Sequence, residues 1–141
     1  MIRIATAEDK EVILKLAKSF VDALSYEKIV DFEKVSKIVD HFLDAPKSEK
    51  IILLYEDVGM IAGAVTPMIF SDVKIATELM WWVDPSERAK EIGSSLLEAF
   101  ELWAKKVDAF SVSMVCLDER VGKFYEKNGY SLMERMYFKE I

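Results

Sequence analysis

Apolar residues recur at helical spacing through the first third of the chain. Residues 1–5 alternate weakly and predict a short strand. The spacing then predicts one helix over about residues 7–24 and a second helix from after Asp31 to the Ala45-Pro46 pair. The apolar positions that define these two helices are Ile13, Leu16, Ala17, Phe20 and Leu24 in the first and Phe32, Val35, Ile38, Val39 and Phe42 in the second.

The middle of the chain changes to dense apolar runs, which are typical of strands covered on both faces. Residues 51–55 and 60–70 form two such runs, and Asp57-Val58-Gly59 between them supplies turn chemistry, so the pattern predicts a β-hairpin. Pro67 cannot donate a ladder hydrogen bond, and we expect a bulge or bend at that position. Residues 73–83 predict a further strand.

A long helical pattern follows Pro85 and ends near Val107, and residues 110–117 predict the next strand. A strand, helix and strand in succession predict a right-handed crossover between parallel strands. Because the earlier strands are joined by short turns, they are expected to be antiparallel.

The C-terminal part begins with Asp118, which is expected to cap a short helix that continues to Lys127. Asn128-Gly129 closes that helix in the left-handed manner, and residues 130–141 predict a final strand or hairpin arm. The predicted order is β-α-α-β-β-β-α-β-α-β. We therefore expect residues 1–141 to form a single α+β domain with a mixed, mostly antiparallel sheet and helices on both faces.

Composition and charge exclude several classes of protein. The 141 residues are 52% hydrophobic, with 19 basic and 25 acidic side chains and a net charge of −6, so nucleic acid is not expected as a partner. A membrane span is not expected, since no apolar run approaches about 18 residues. Cys116 is the single cysteine and His41 the single histidine, so we expect no metal site and a reducing, cytoplasmic location. The hydrophobic content is compatible with a homodimer.

The junction at residues 83–97 carries the most chemical information. A strand ends, a turn follows, and a helix begins near Gly93, which permits close backbone approach. Helix N-termini bind phosphates because their first N–H groups are unpaired, and Ser94 and Arg88 add further donors. An ordinary capped helix fits the same segment.

At this junction the chain resembles the GNAT superfamily of N-acetyltransferases. The acetyl-CoA signature of that family is Arg or Gln, two residues, Gly, one residue, then Gly or Ala, preceded by Val-x-Pro at a strand end. The matching residues are Val83, Pro85, Arg88, Glu91 and Gly93. Residues 124–130, Phe-Tyr-Glu-Lys-Asn-Gly-Tyr, are similar to the family's Phe-Tyr-Glu-Lys-x-Gly-Phe segment. The resemblance covers residues 2–140, and the two motifs together are more specific than either alone.

Two positions depart from the family pattern. Glu91 replaces the first glycine of the phosphate loop, and a positive φ there costs a glutamate about 1 kcal/mol or more. It also places a carboxylate near a pyrophosphate. Asp118 stands where many members have an asparagine that helps to hold the cofactor arm, and only its helix-capping role is carried over.

The resemblance implies direct attack of an amine on acetyl-CoA in a ternary complex. Glu78 is expected to act as the base or to bind the amine, although a surface glutamate fits the same pattern. Tyr125 is expected to protonate the leaving thiolate, although it also suits a core position. The pantetheine arm is expected to lie in a gap between strands that splay apart near residues 81 and 113, and a backbone N–H at residues 81–83 is expected to hold the oxyanion.

The resemblance also implies a set of acetyl-CoA contacts and an acceptor side. The expected cofactor-binding residues are Trp81, Trp82, Val83, Arg88, Ala89, Lys90, Glu91, Ile92, Gly93, Ser94 and Phe124. The segment 25–42 is expected to shape the site for a small-molecule or peptide amine, with the polar side chains Tyr26, Glu27, Asp31 and Glu33. Two other functions remain open: a non-catalytic acyl-CoA sensor or interaction module, which Glu91 favours, and a nucleotide-phosphate-binding protein.

Overall fold

In this computed structural model of the chain, residues 1–24 and 28–141 are described. The helices are α1 (Lys10–Leu24), α2 (Phe32–Asp44), α3 (Ile92–Lys106) and α4 (Glu119–Lys127), and the strands are β1 (Ile2–Ile4), β2 (Lys50–Tyr55), β3 (Gly59–Pro67), β4 (Lys74–Val83) and β5 (Ser111–Ser113). Short 3-10 turns at Ala7–Asp9 and Pro85–Lys90 precede α1 and α3. The predicted order is thus confirmed as far as α4.

The five strands form one sheet in the order β1-β2-β3-β4-β5. The first four strands are antiparallel neighbours, and β5 is parallel to β4, with α3 as the crossover between them. This confirms the expected single-domain α+β architecture with a mixed sheet. The hairpin of β2 and β3 is confirmed as well, since Tyr55 pairs with Gly59 across the turn.

Helices cover both faces of the sheet, as the apolar patterns predict. Helices α1 and α2 pack on one face, where Leu16, Phe42 and the strand residue Leu54 belong to one buried cluster. Helix α3 packs on the other face, where Phe100 is fully buried against Ile61. Because strand side chains alternate between faces, β2 and β3 supply residues to both cores and read as continuous apolar runs.

The final strand is a wrong prediction. Residues 130–141 form no strand and pair with none of the described strands, and β5 covers only residues 111–113 of the predicted 110–117. The left-handed closure at Gly129 is confirmed, with φ of +88°. A strand needs a partner with free main-chain groups, and the local sequence of residues 130–141 does not identify one.

The position of the bulge is a second correction. Strand β3 ends at Pro67, and the irregularity lies instead in β4, where Gly63 pairs with Glu78 and Ala62 pairs with Met80. Leu79 is therefore the extra residue. Helix α3 begins at Ile92, next to Gly93 as predicted, and the preceding residues Pro85–Lys90 form the tighter 3-10 turn.

Candidate active site

The two parallel strands separate at the end of the sheet where the predicted site lies. Pairing between β4 and β5 stops at Thr77 and Ser113, while β4 continues to Val83. Asp84 donates its N–H to Val58 on the β3 side. Since N–H groups alternate along a strand, those of Trp81 and Val83 point to the open edge. The splayed opening therefore has main-chain donors where the oxyanion contact is expected.

The bulge at Leu79 sets which side chains surround this opening. An extra residue shifts the alternation of the strand by one position. Ala76, Trp81 and Val83 consequently pack with the α3 core, while Met80 and Trp82 pack with the α1–α2 core. The two tryptophans thus lie on opposite faces. Trp81 faces α4, where its ring stacks on Phe124 at 5.7 Å.

Glu78 directly precedes the bulge and is only 4% exposed. Its Oε2 accepts a hydrogen bond of 3.0 Å from the main-chain N–H of Val115, on the far side of the opening. Burial raises the pKa of the Glu78 carboxyl from 4.5 to about 7, and the Val115 hydrogen bond partly opposes that rise. A carboxyl with a pKa near neutrality exchanges protons readily at physiological pH.

Tyr125 lies on α4 and is buried. Its hydroxyl donates a hydrogen bond of 2.8 Å to the carbonyl oxygen of Val115. The pKa of the Tyr125 phenol is raised above its usual value of 10. Burial is the largest cause, and the nearby charge of Glu78 is the second. The phenol therefore keeps its proton across the physiological range and remains a donor.

Val115 joins these two side chains, because its N–H bonds Glu78 and its carbonyl bonds Tyr125. Sequence reasoning placed Val115 only as an apolar strand position and gave it no role at the site. Its contribution comes from main-chain groups, which every residue type shares, so the sequence contains no signal for it.

A cavity of about 240 Å³ opens beside Glu78. Its described lining is mostly apolar and comprises Phe20, Leu24, Glu78, Leu79, Trp81, Val115, Leu117, Val121 and Tyr125. Glu78 is the only residue with an ionisable carboxyl in that lining. The arrangement offers one buried proton acceptor at the wall of a chamber that suits an apolar body.

A second cavity, of about 260 Å³, lies on the other side of Trp81. It is lined by Trp81, Arg88, Arg120, Val121 and Phe124. Two arginines from different elements therefore line one chamber, and guanidinium groups are suited to binding phosphate oxygens. Sequence reasoning missed Arg120, because only the packing of α4 against β4 brings it to the same chamber as Arg88.

Arg88 also has structural contacts. Its Nε donates a hydrogen bond of 2.9 Å to the carbonyl of Val83, and its guanidinium lies 4.6 Å from the ring centre of Trp82. These contacts hold the side chain at the end of β4, and Arg88 is also part of the lining of the second cavity. Ala89 and Lys90, which were also predicted to contact the cofactor, are exposed, and Lys90 forms a 2.6 Å ion pair with Glu87.

The turn before α3 contains a residue with a positive φ. Glu91 has φ of +58°, the left-handed region in which glycine is favoured, and it is the N-cap of α3. The first helical turn then presents the N–H groups of Ile92, Gly93 and Ser94, while the Ile92 side chain is buried in the core. A Cβ atom on Gly93 would lie 3.2 Å from Trp81, so a small residue is needed there.

The predicted acceptor segment is only partly within the described residues. Tyr26 and Glu27 lie outside them. Asp31 caps α2 by accepting hydrogen bonds from the N–H groups of Glu33 and Lys34, which gives it a structural role. The side chains that do reach the first cavity from this part of the chain are Phe20 and Leu24 of α1.

In the described part of the chain, residues 1–24 and 28–141, no cluster of three or more metal-ligating side chains occurs. None of the described helices has both the length and the apolar character that crossing a bilayer requires.

Solved structures of similar fold include an acetyltransferase from Trypanosoma brucei, which is 18% identical with a TM-score of 0.74 over 100% of this chain and 99% of that one. An aminoglycoside acetyltransferase from an uncultured soil metagenomic sample, in complex with sisomicin, is 17% identical with a TM-score of 0.74 over 100% and 94%. A transcriptional regulator from Bacillus halodurans C-125 is 22% identical with a TM-score of 0.77 over 100% and 99%. At these identities the likeness concerns the fold.

None of the curated protein sequences matches the chain. The family profile described as "Acetyltransferase (GNAT) domain" matches residues 47–132, well over half of the chain. That range contains β4, the loop before α3, and α4, the elements that surround the splayed opening. The chain belongs to the GNAT acetyltransferase family.

Proposed function

We propose that this protein transfers the acetyl group of acetyl-CoA to a primary amine by direct attack in a ternary complex. The observation that carries the proposal is the buried Glu78 carboxyl, with a pKa near 7, at the wall of a cavity beside the open edge of β4. Residues 1–141 would act as one catalytic unit in the reducing cytoplasm, where the exposed Cys116 stays a free thiol.

The cofactor side of the proposal uses the loop before α3 and the second cavity. The pyrophosphate would accept hydrogen bonds from the N–H groups at residues 92–94, with Arg88 and Arg120 adding charge from the cavity wall. The pantetheine arm would then lie along the open edge of β4 and pair with its free main-chain groups. The N–H of Trp81 or Val83 would hold the thioester oxygen as it gains charge.

The chemical step balances with the groups present. An alkylammonium acceptor has a pKa of about 10 and must lose a proton before it can attack, and the Glu78 carboxylate accepts that proton directly or through water. The amine nitrogen bonds to the thioester carbon, and the carbon–sulfur bond then breaks. Tyr125 gives its proton to the departing thiolate, and the second proton that the attacking nitrogen loses as it becomes an amide returns to the Tyr125 phenolate through water.

The acceptor side favours an amine attached to an apolar body. Phe20, Leu24 and Leu117 line the first cavity, and Glu78 supplies its single carboxyl group. The structurally similar enzyme in complex with sisomicin binds an aminoglycoside, so the fold is compatible with amine substrates. For this chain, a monoamine with an aryl or branched alkyl group fits the described lining better than a polycation, because one carboxyl balances one charge.

The test combines calorimetry with acetyl-CoA and an assay of thiol release over a panel of aryl-alkyl amines, aliphatic amines, polyamines and peptide N-termini. We expect acetyl-CoA binding and the fastest thiol release with apolar monoamines. Glu78→Gln should remove the acidic limb of the pH–rate profile near pH 7, while Glu98→Gln, a change at an exposed glutamate of α3, should leave it intact.

A non-catalytic acyl-CoA sensor remains the second candidate, since Glu91 places a carboxylate at the phosphate loop. Binding of acetyl-CoA without thiol release from any acceptor would support the sensor and reject catalysis. Preference for ATP over CoA would reject both and identify a nucleotide-phosphate-binding protein.

A further inference from the structure

Gly63 of β3 pairs with Glu78 of β4 at the residue that precedes the bulge. Residues that pair directly across antiparallel strands have their side chains on the same face, with Cβ positions about 4.5–5.5 Å apart. This is the face covered by α3, because Ala76, two residues before Glu78, belongs to the buried cluster that contains the α3 side chains. Gly63 therefore leaves a space on the β3 side of Glu78 that no side chain of β3 fills.

The ring of Phe100 fills the space beside Gly63. A Cβ atom at position 63 would overlap this ring, so a larger residue does not fit there while the ring keeps its place. Phe100 lies on α3 and is fully buried in the apolar cluster of that face. A large and rigid side chain therefore borders Glu78 on the side of β3.

The absence of a side chain at Gly63 also matters for the main chain of Glu78. A Cβ atom at position 63 would lie 2.7 Å from the carbonyl oxygen of Thr77, in the peptide group that joins Thr77 to Glu78. A real Cβ contact is essentially never shorter than 3.0 Å, so a larger residue would displace that peptide group. Because Glu78 directly precedes the extra residue Leu79, such a displacement would redirect its side chain.

The side of Glu78 that remains open is the one toward β5, which lies on the other side of β4 from β3. There the Glu78 carboxylate accepts the hydrogen bond of 3.0 Å from Val115. An apolar ring on the β3 side also keeps water from the carboxyl, and burial is the largest cause of the raised pKa of Glu78. Phe100 thus affects both the direction and the surroundings of the carboxyl.

We propose that Gly63 and Phe100 are positioning residues for Glu78: the glycine admits the ring, and the ring holds the carboxyl toward Val115 at the wall of the first cavity. Neither residue belongs to the described lining of the two cavities, so both act through Glu78 and not on a substrate. Their importance for catalysis rests on the proposed function, whereas the arrangement itself is testable without any substrate.

The main test follows the Val115 amide proton by nuclear magnetic resonance as the pH rises from about 5 to about 9. In the wild type, ionisation of Glu78 should shift this proton in one step near pH 7, because a carboxylate is a stronger acceptor than the neutral acid. Tyr125, the only other titratable side chain in the described lining of the first cavity, keeps its proton over this range. The size of the step therefore reports how closely Glu78 and Val115 are held together.

Phe100→Leu opens the space beside Glu78, and Phe42→Leu is its matched control. Phe42 is also buried, but in the α1–α2 cluster on the opposite face of the sheet. Both variants should lose a comparable amount of stability. Phe100→Leu should reduce the Val115 step by roughly half or more, and Phe42→Leu should leave it unchanged. A full step in folded Phe100→Leu would overturn the proposal.

Gly63→Ala tests the other half of the arrangement, and Gly59→Ala is its control on the same strand. A Cβ atom at position 59 approaches only side-chain atoms, the nearest being methyl groups of Ile92 and Leu96 at 3.1 Å. The Val115 step should shrink in Gly63→Ala and persist in Gly59→Ala. Equal steps in these two variants would also overturn the proposal.

A measurement on the wild type requires no substitution and so does not depend on whether the variants fold. We expect a nuclear Overhauser effect between the ring protons of Phe100 and the side-chain methylenes of Glu78, since both lie beside the Cα atom of Gly63 on one face. If this effect is missing while that between Phe100 and Trp103, whose ring centres are 5.4 Å apart, is observed, the ring does not border Glu78 and the proposal is rejected.

Kinetics distinguish failure of the positioning role from failure of the proposed function. If Glu78 is the base, Phe100→Leu should lower kcat about tenfold or more with little change in the KM for acetyl-CoA, because a small misplacement of a reacting group is costly. Phe42→Leu should not lower kcat in this way. A wild type that shows the Val115 step but releases no thiol with any amine would reject the proposed function and support the positioning of Glu78.

Discussion

Glu78 and Val115 are joined by a 3.0 Å hydrogen bond across the point where β4 and β5 have stopped pairing. The Glu78 side chain accepts the Val115 N–H where a strand pair would have a main-chain acceptor. The Tyr125 hydroxyl likewise donates a hydrogen bond to the carbonyl oxygen of Val115. The opening that admits a cofactor arm is therefore kept at a defined width by the same two side chains that are proposed to move protons.

The buried carboxyl predicts a stability that depends on pH. The pKa of Glu78 rises from 4.5 to about 7 on folding. The contribution of Glu78 to the free energy of unfolding is therefore complete below pH 4.5 and is lost as the pH rises through about 7. The size of that loss is roughly 3 kcal/mol, from about 1.4 kcal/mol per pKa unit. We expect Glu78→Gln to gain about this much stability relative to the wild type between pH 4.5 and pH 8.5, measured by denaturant unfolding.

The glutamine retains an oxygen that can accept the Val115 hydrogen bond, so the comparison isolates ionisation. Glu98→Gln controls for the loss of one negative charge from an acidic protein. A stability difference between Glu78→Gln and the wild type that stays constant over this pH range would mean that Glu78 ionises freely in the folded state.

Tyr125→Phe separates a proton donor from a packing residue. If the phenol protonates the leaving thiolate, we expect kcat to fall by about 10²-fold or more, with little change in the affinity for acetyl-CoA. The carbonyl of Val115 also loses a partner, which costs about 1 kcal/mol of stability. Steady-state kinetics and thermal unfolding measure the two effects.

The control for this change is Tyr55→Phe, at a half-buried tyrosine of β2 outside both cavities. Loss of stability with unchanged kcat would assign Tyr125 to structure alone. Equal effects of the two substitutions on kcat would contradict the proposed role.

Local pattern was sufficient to predict the β2–β3 hairpin, the cap at Asp118 and the left-handed closure at Gly129, because each depends on a few neighbouring residues. The bulge at Leu79 and the role of Val115 were not predictable in this way. They depend on register and on main-chain groups, which are set by elements far apart in the sequence.

Helix α4 likewise contains residues that local sequence could predict and one that it could not. Phe124 and Tyr125 were identified from a motif, and the structure brings both beside Trp81. Arg120 has no motif around it and joins the site only through the packing of its helix. The sequence of residues 130–141 predicted a strand or hairpin arm, yet it contains no information about which edge such a strand would meet.

Arg120→Ala tests the guanidinium that the sequence did not reveal. A charge-assisted hydrogen bond to phosphate is worth about 1.4 kcal/mol or more, so we expect the Kd for CoA to rise roughly tenfold, and less so at high salt. Turnover at saturating acetyl-CoA should change little. Lys123→Ala, which removes an exposed charge from the same helix but not from the cavity, is the control, and an equal rise in Kd for both would reject a specific contact.

Glu91 provides two separable effects at the phosphate loop. Its φ of +58° costs a glutamate about 1–2 kcal/mol, and its carboxylate opposes a pyrophosphate. Glu91→Gly relieves both effects, while Glu91→Gln removes the charge but keeps the strain. Glycine loses more conformational entropy on folding than glutamate does, and this offsets part of the gain from relieved strain. Glu91→Gly should therefore stabilise the fold by roughly 0.5–1 kcal/mol, and Glu91→Gln should not.

Both substitutions at Glu91 should lower the Kd for CoA roughly threefold at low salt, since an exposed charge about 7 Å from a phosphate costs about 0.6 kcal/mol in water. Calorimetry at two ionic strengths measures this, and chemical denaturation measures the stability difference between the two variants. If Glu91→Gly bound CoA no more tightly than the wild type, the carboxylate would face away from the phosphates. The structural reason for favouring a sensor would then disappear, because the loop would bind the cofactor as well with glutamate as with glycine.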